Sequence, residues 1–248
     1  MEFLGALLAG SIIGSVLGFV GAGGAMLAVP MLIYGFGLTP SQASTAALAI
    51  VCAAALSGVS TKIKGKEILY RDAFVIWAIG LVTNLGFSSI VSKLSEDFIG
   101  IGFALIIIGA GVSMLIKPLS DVYQKMSWPV LIFISLIIGS ITGLFGIGGG
   151  FLVIPVLVLG FGATHKVAAG TSLLVIAINS ITALLGRYQL WPEVSWQIPL
   201  IIAIAAVIIA QLASRLQLGI SDVLLRKGFA YLLFSVAAFS LIEILVIN

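Results

Sequence analysis

Residues 143–155 read GLFGIGGGFLVIP, a stretch in which five glycines and a proline interrupt an otherwise apolar sequence. In a helix, glycine costs about 1 kcal/mol relative to alanine, and an interior proline costs about 3 kcal/mol. Residues 18–30 read GFVGAGGAMLAVP and agree with the first stretch at six of 13 positions, 125 residues earlier. Because this costly pattern occurs twice, half a chain apart, the sequence predicts an internal duplication.

The composition of the 248-residue chain is typical of a membrane protein, with 61% apolar and only 8% charged residues. A soluble domain carries about 25% charged residues. Eight apolar runs are long enough to cross a bilayer as helices, which predicts an all-α polytopic membrane protein. The first run starts at residue 3 with no Lys or Arg before Lys62, which favours a retained span over a cleaved signal peptide. The predicted spans are 3–20, 40–61, 73–92, 98–116, 129–147, 166–186, 196–214 and 228–247.

The duplication extends beyond the glycine tracts, because Gly35-Phe36-Gly37 matches Gly160-Phe161-Gly162 and Thr39 matches Thr164. We therefore predict two repeat halves, residues 1–125 and 126–248, which together form a single integral membrane domain.

Each predicted half begins with a long interrupted segment, about residues 2–36 or 128–161. Roughly 35 residues of helix would span about 52 Å, whereas the hydrocarbon core is about 30 Å thick. Each segment is therefore predicted to divide into a full span and a short helix, at residues 24–36 and 149–161.

The basic residues indicate how the short helices run. If each short helix is re-entrant and returns the chain to its starting side, ten of the 12 Lys and Arg residues share one side, which the positive-inside rule makes cytoplasmic. If it continues across, the division is seven to five. The re-entrant arrangement gives two inverted-topology repeats with both termini on the non-cytoplasmic side. The ten residues are Lys62, Lys64, Lys66, Arg71, Lys117, Lys125, Lys166, Arg215, Arg226 and Lys227, against Lys93 and Arg187.

A glycine break followed by a short helix is suited to holding an anion. Backbone N–H groups are released at the break, and the following helix points its positive end at the same place. Two such breaks from inverted halves would form an anion site between the repeats. Close helix packing through small residues is the structural alternative. A nucleotide-binding glycine loop is not favoured, because no carboxylate lies near Thr45 or Gly170, 20 positions further on.

Polar side chains within the spans add candidate contacts. Hydroxyl and amide groups can donate hydrogen bonds to an anion without a buried counter-charge. The alternative role is bonding between helices, worth about 0.6 kcal/mol per contact. The candidates are Ser44, Thr45, Thr171, Ser172 and Asn179.

Four cationic or titratable residues near span ends are candidate mouth residues for attracting an anion. Solvation and snorkelling at the interface are the alternatives. One cysteine and one histidine provide no metal-ligand cluster, so no metal and no cofactor are expected. The four residues are Lys62, His165, Lys166 and Arg187.

The duplicated motif resembles the TauE/SafE sulfite exporter family, also called the toluenesulfonate uptake permease family, over essentially the whole chain. Gly170-Thr171-Ser172 adds to the resemblance, whereas Ala46-Ala47 replace the Thr-Ser pair in the first half. The resemblance implies a carrier of sulfite, sulfoacetate or other organosulfonates in a bacterial-type inner membrane. The matching positions are Gly21, Gly23, Gly24 and Pro30, with Gly146, Gly148, Gly149, Gly150 and Pro155 in the second half.

The predicted function is secondary transport of a sulfur-containing anion by alternating access, with Pro30 and Pro155 as the helix-break or hinge positions. A passive anion channel of the same architecture is the alternative. An enzyme is disfavoured because His165 is the sole histidine and no carboxylate lies within a predicted span beside it. The expected partners are the anion and the lipid bilayer, and no nucleic acid. A coupling ion, H⁺ or Na⁺, and a homodimer are both compatible with the sequence.

Overall fold

The computed structural model of the protein describes residues 2–88, 96–116, 127–145, 150–216 and 221–242, which are helical apart from short connections. Two five-residue π-helical turns, Met31–Gly35 and Val156–Gly160, follow the two short helices, and a 3₁₀ helix covers Tyr188–Glu193. The α-helices are α1 (Glu2–Val20), α2 (Gly24–Pro30), α3 (Pro40–Lys64), α4 (Tyr70–Ser88), α5 (Glu96–Leu115), α6 (Trp128–Phe145), α7 (Gly150–Pro155), α8 (His165–Gly186), α9 (Gln197–Leu216) and α10 (Asp222–Ile242).

The described helices have the length and surface of a multi-pass membrane protein. Many large apolar side chains face outward, as Leu4, Val82 and Leu85 do with 65–71% of their surface exposed, and an apolar surface of this kind is typical of a membrane protein. The total number of crossings stays a prediction. Within the described residues, the helices long and apolar enough to cross a membrane are Glu2–Val20, Gln42–Lys64, His165–Gly186 and Gln197–Leu216.

The chain after the first glycine tract follows a defined path. α2 runs directly into the π-helical turn, and the change occurs at Pro30, whose missing N–H removes one rung of the α-helical ladder. Gly37 then takes a left-handed φ of 68°. The Thr39 hydroxyl accepts a hydrogen bond from the Gln42 N–H and caps α3.

The same path recurs 125 residues later. Pro155 ends α7 and precedes the second π-helical turn. Gly162 has a φ of 66°, and the Thr164 hydroxyl caps α8 by accepting from the Val167 N–H. Equivalent residues therefore adopt the same local structure at both places.

Two helix pairs approach until their backbones touch, because glycines line the contact. A Cβ placed on Gly14 of α1 would lie 2.5 Å from the Ala206 carbonyl oxygen of α9, and one on Gly18 would lie 2.5 Å from the Ala210 oxygen. Gly139 of α6 meets the Gly80 carbonyl of α4 in the same way. Each pair joins a helix before residue 126 to one after it.

α3 and α8 lie side by side and form the centre of the fold. The Cys52 Sγ lies 4.0 Å from the Ala177 carbonyl oxygen, and most of both helices is buried. α8 also contacts α4, α7 and α10, so it touches elements from both parts of the chain.

Candidate functional site

The helix is interrupted at the first glycine tract, between Val20 and Gly24. Gly21 and Gly23 have φ values of 80° and 87°, in the left-handed region that only glycine occupies without strain. The Gly21 N–H bonds to the Leu17 carbonyl at 2.9 Å. No hydrogen bond to the N–H of Ala22 or Gly23 is present among the described residues. The break therefore holds two backbone amides that have no acceptor among the described residues.

The break is enclosed by its neighbours in this conformation. Residues 21–24 are all buried. A Cβ on Gly21 would lie 2.5 Å from the Ala169 Cα of α8, and one on Gly23 would lie 3.2 Å from a methyl group of Leu232 in α10. Ala169 and Leu232 were not among the residues that the sequence singled out, although Ala168-Ala169-Gly170 is a run of small residues that permits close approach.

The second tract is described only from Gly150 onward, because Gly146, Gly148 and Gly149 lie outside the described residues. The Ser172 hydroxyl donates to the Gly150 carbonyl oxygen at 2.6 Å. A Cβ on Gly150 would collide with Ile176. Ser172 is therefore placed at the start of the second short helix, with its hydroxyl proton directed to the backbone.

Thr171 connects α8 to the loop that follows α3. Its Oγ1 accepts a hydrogen bond from the Leu69 N–H at 3.0 Å and donates to the Val167 carbonyl at 2.8 Å. The adjacent Gly170 packs against the Glu67 carbonyl. In this conformation the hydroxyl thus bonds within α8 and to the loop that precedes α4, and its role as an anion contact stays a prediction.

Lys62 is buried rather than solvated. Its side chain has 0% exposure, and its Nζ lies 2.8 Å from Glu67 Oε2, whose side chain is 15% exposed. Glu67 was not selected from the sequence, because a single carboxylate in a polar loop carries no signal of its own. The pair links the end of α3 to the loop before α4, whose Glu67 carbonyl lies against Gly170 of α8.

Arg187 lies at the opposite end of α8 and contacts the start of α3. Its Nη1 donates to the Ser44 Oγ at 2.7 Å, and burial lowers the pKa of the guanidinium, which stays charged at neutral pH. Nearby, the Gln42 amide donates to the Glu193 carbonyl at 2.8 Å. Lys62 and Arg187 therefore hold matching positions at the two ends of the α3–α8 pair.

The remaining candidates lie on α3 and α8. Thr45 has 0% exposure and Asn179 has 8%. His165 is buried beside Phe229, with 6.5 Å between ring centroids, and Lys166 is half-buried.

The first two turns of α8 bring together several of the predicted residues. Ala169 touches the first break, Ser172 touches the second short helix, and Gly170 and Thr171 hold the loop that pairs with Lys62. Ser44 and Arg187 lie at the other end of the same helix pair. The structure therefore gathers one group around the start of α8 and a second around its end.

A cavity of about 890 Å³ lies between α1, α2 and α10. Its walls are mostly apolar and include Met26, Pro30 and Met31 after the first break, but none of the glycines at residues 21–24. The cavity thus adjoins the short helix without reaching the free amides.

Comparison with known proteins agrees with this architecture. Residues 6–240 match the family described as Sulfite exporter TauE/SafE. The chain is 27% identical over 241 residues to a "Probable membrane transporter protein" of Xylella fastidiosa, covering 93% of this chain and 91% of the relative. It is 27% identical over 210 residues to a "Probable membrane transporter protein" of Bacillus subtilis, covering 73% and 77%. The protein is thus a multi-pass membrane transporter, and it belongs to the TauE/SafE sulfite exporter family.

Proposed function

We propose that the protein is a secondary transporter that carries sulfur-containing anions, such as sulfite or an organosulfonate, across the inner membrane by alternating access. The observation that carries the proposal is the first helix break, where two buried backbone amides face no hydrogen-bond acceptor among the described residues. An unpaired amide costs several kcal/mol inside a membrane, so a break of this kind is retained for a ligand.

The ligand class follows from the donors at the break. Amides at the start of a helical segment bind an anion through hydrogen bonds and the helix dipole, without a charged side chain. α2 and its π-helical turn form one helical segment from Gly24 to Gly35. Lys62 is already paired with Glu67, so the proposed site relies on backbone donors, which suit the oxygens of a sulfite or sulfonate.

An inverted pair of repeats, residues 1–125 and 126–248, is the architecture that we propose for alternating access. It is supported by the matching left-handed glycines Gly37 and Gly162 and by the contact between Cys52 and Ala177, which are separated by the repeat offset of 125 residues. It is supported further by the matched packing of α1 on α9 and of α6 on α4.

The proposed transport cycle requires α8 to move relative to the first break. Ala169 lies against Gly21 and closes the site in this conformation. An anion would reach the amides of Ala22 and Gly23 when the start of α8 separates from the break. The contacts at the two ends of the α3–α8 pair would then open in alternation.

The proposed topology can be tested with single cysteines in a Cys52→Ala background. Lys64→Cys, in the exposed end of α3, is expected to react with a membrane-impermeant maleimide only from the cytoplasmic side. Gln189→Cys, in the exposed 3₁₀ helix, is expected to react only from the outside. Reaction of both cysteines from the same side would contradict the inverted arrangement.

The proposed function can be tested by flux into proteoliposomes. Uptake of at least one of sulfite, sulfoacetate, taurine or an aryl sulfonate is expected to saturate and to show counterflow, whereas a channel shows neither. Gly23→Ala is expected to reduce uptake about tenfold or more, because a left-handed φ of 87° costs alanine about 1–2 kcal/mol and the amides reorient.

Gly35→Ala is the matched control, because Gly35 has no left-handed φ and a Cβ there meets nothing within 4 Å. Its uptake is expected to equal that of the wild type. Failure of the wild type to move any of these compounds would refute the proposed function. Non-saturating flux without counterflow would instead favour the anion channel.

A further inference from the structure

His165 is a buried titratable group to which the proposed anion site gives no role. It is the only histidine of the chain, the first residue of α8, and only 1% exposed. Imidazole is the side chain that ordinarily changes charge between pH 5 and 8. A buried group of this kind in a membrane transporter is a candidate for carrying a proton.

His165 and the first break share the same neighbours. Ala169, four residues or about 6 Å further along α8, lies against Gly21. Phe229 of α10 stacks edge-on to the imidazole at 6.5 Å and would lie 3.9 Å from a Cβ on Gly23. The imidazole is therefore separated from the free amides of Ala22 and Gly23 by about two side chains.

The charges around α8 do not duplicate this role. α8 packs against α3, α4, α7 with its π-helical turn, and α10, of which α7 and its turn carry no charged residue. Lys62 is paired with Glu67, and the Arg71 Nη1 lies 4.0 Å from the Asp72 Oδ1. The charged residues on these elements, their connecting loop and α8 are Lys62, Lys64, Lys66, Glu67, Arg71, Asp72, Lys166, Asp222, Arg226 and Lys227.

We propose that His165 is the proton-binding site that couples anion movement to protons, an inference that rests on the proposed function. An anion bound at the break attracts the positive charge of a protonated imidazole at the start of α8. Proton binding and anion binding therefore favour each other by the same factor. One proton is taken up by an imidazole nitrogen with the anion, and both are released on the other side.

The test uses sulfoacetate, whose charge is constant between pH 6 and 8 because its carboxyl group titrates near 4. In proteoliposomes with pH 6 outside and pH 8 inside, we expect wild-type uptake to exceed uptake at uniform pH by roughly 5- to 100-fold. A dye in the lumen should report acidification that follows the anion.

His165→Gln is expected to lose the stimulation by the pH gradient and the acidification, while sulfoacetate exchange at uniform pH continues. A merely structural role would reduce both fluxes together. Asp72→Asn, which changes a buried carboxylate at the start of α4, is the comparison variant and is expected to stay coupled.

Three outcomes would overturn the proposal: wild-type uptake without lumenal acidification, gradient-driven uptake that survives in His165→Gln, or loss of coupling in Asp72→Asn alone. If His165→Gln cannot be produced in folded form, the lumenal pH of wild-type proteoliposomes still shows whether protons move with the anion. Absence of flux for sulfoacetate and for every other compound of the panel would refute the proposed function itself. That result is distinguishable from a failure of the His165 proposal, in which transport persists without proton coupling.

Discussion

Replacing Gly21 with leucine is expected to abolish anion transport and to lower the midpoint of thermal unfolding. Gly21 has a left-handed φ of 80° and lies against the Ala169 backbone, with 2.5 Å between a Cβ and the Ala169 Cα. The φ angle costs a non-glycine residue about 1–2 kcal/mol, and overpacking adds about 1–3 kcal/mol. Because the neighbour is backbone rather than a flexible side chain, α8 must shift as a whole.

The measurement is a pair of assays on the same preparation, anion uptake in proteoliposomes and thermal unfolding in detergent. Gly35→Leu is the control, because a Cβ there meets nothing within 4 Å. It should match the wild type in both assays. Normal uptake by Gly21→Leu would show that the contact between the break and α8 has no part in transport.

Glu67→Gln is expected to destabilise the folded state by about 3–5 kcal/mol, because it leaves the Lys62 ammonium in a buried site without its carboxylate. The Nζ–Oε2 distance is 2.8 Å, and the Lys62 side chain has 0% exposure. The loop that Glu67 shares with Leu69 should then detach from Thr171, which is detectable as faster proteolysis or hydrogen exchange at residues 65–69.

A double replacement separates the effect of the buried charge from the effect of side-chain packing. Lys62→Met with Glu67→Met removes both charges, and it should recover most of the stability lost by Glu67→Gln, since apolar replacement of a buried pair is often neutral. Lys64→Gln is the exposed control and should change stability by no more than about 0.5 kcal/mol. Equal losses for Lys64→Gln and Glu67→Gln would refute the buried-pair interpretation.

The local structure around the glycine tracts could be predicted from the sequence because it is fixed by residues close together in the chain. The short helices were expected at 24–36 and 149–161, and the structure has helical segments at Gly24–Gly35 and Gly150–Gly160, each ending in a π-helical turn. Proline and glycine determine these boundaries by their backbone chemistry. The π-helical turns themselves have no comparable sequence signal.

The span boundaries differ most where charged residues begin a helix. The last span was predicted to start at residue 228, whereas α10 starts at Asp222. Hydropathy detects only the apolar part of a helix, and Arg226 and Lys227 lie in the turns of α10 before that part begins.

The contacts that enclose the candidate site could not be predicted. Ala169 against Gly21 and Arg187 against Ser44 join residues more than 140 positions apart, and no periodic pattern reports such pairs. The burial of Lys62 was also missed, because Glu67 is its partner only after the loop folds back onto α8.

The backbone contacts of α1 with α9 and of α4 with α6 have a consequence for the assembly of the chain. Each of these couples unites an early helix with a late one across a seam of glycines and alanines. If the chain were divided near residue 126, each fragment would expose the helix surface that packs against the other fragment. We therefore expect neither fragment to fold stably alone. When the two fragments are coexpressed, they should reassemble in the membrane, because each one carries the helices that pack against the other. The fragment that is synthesised first should stay incompletely packed in the bilayer until the second is inserted.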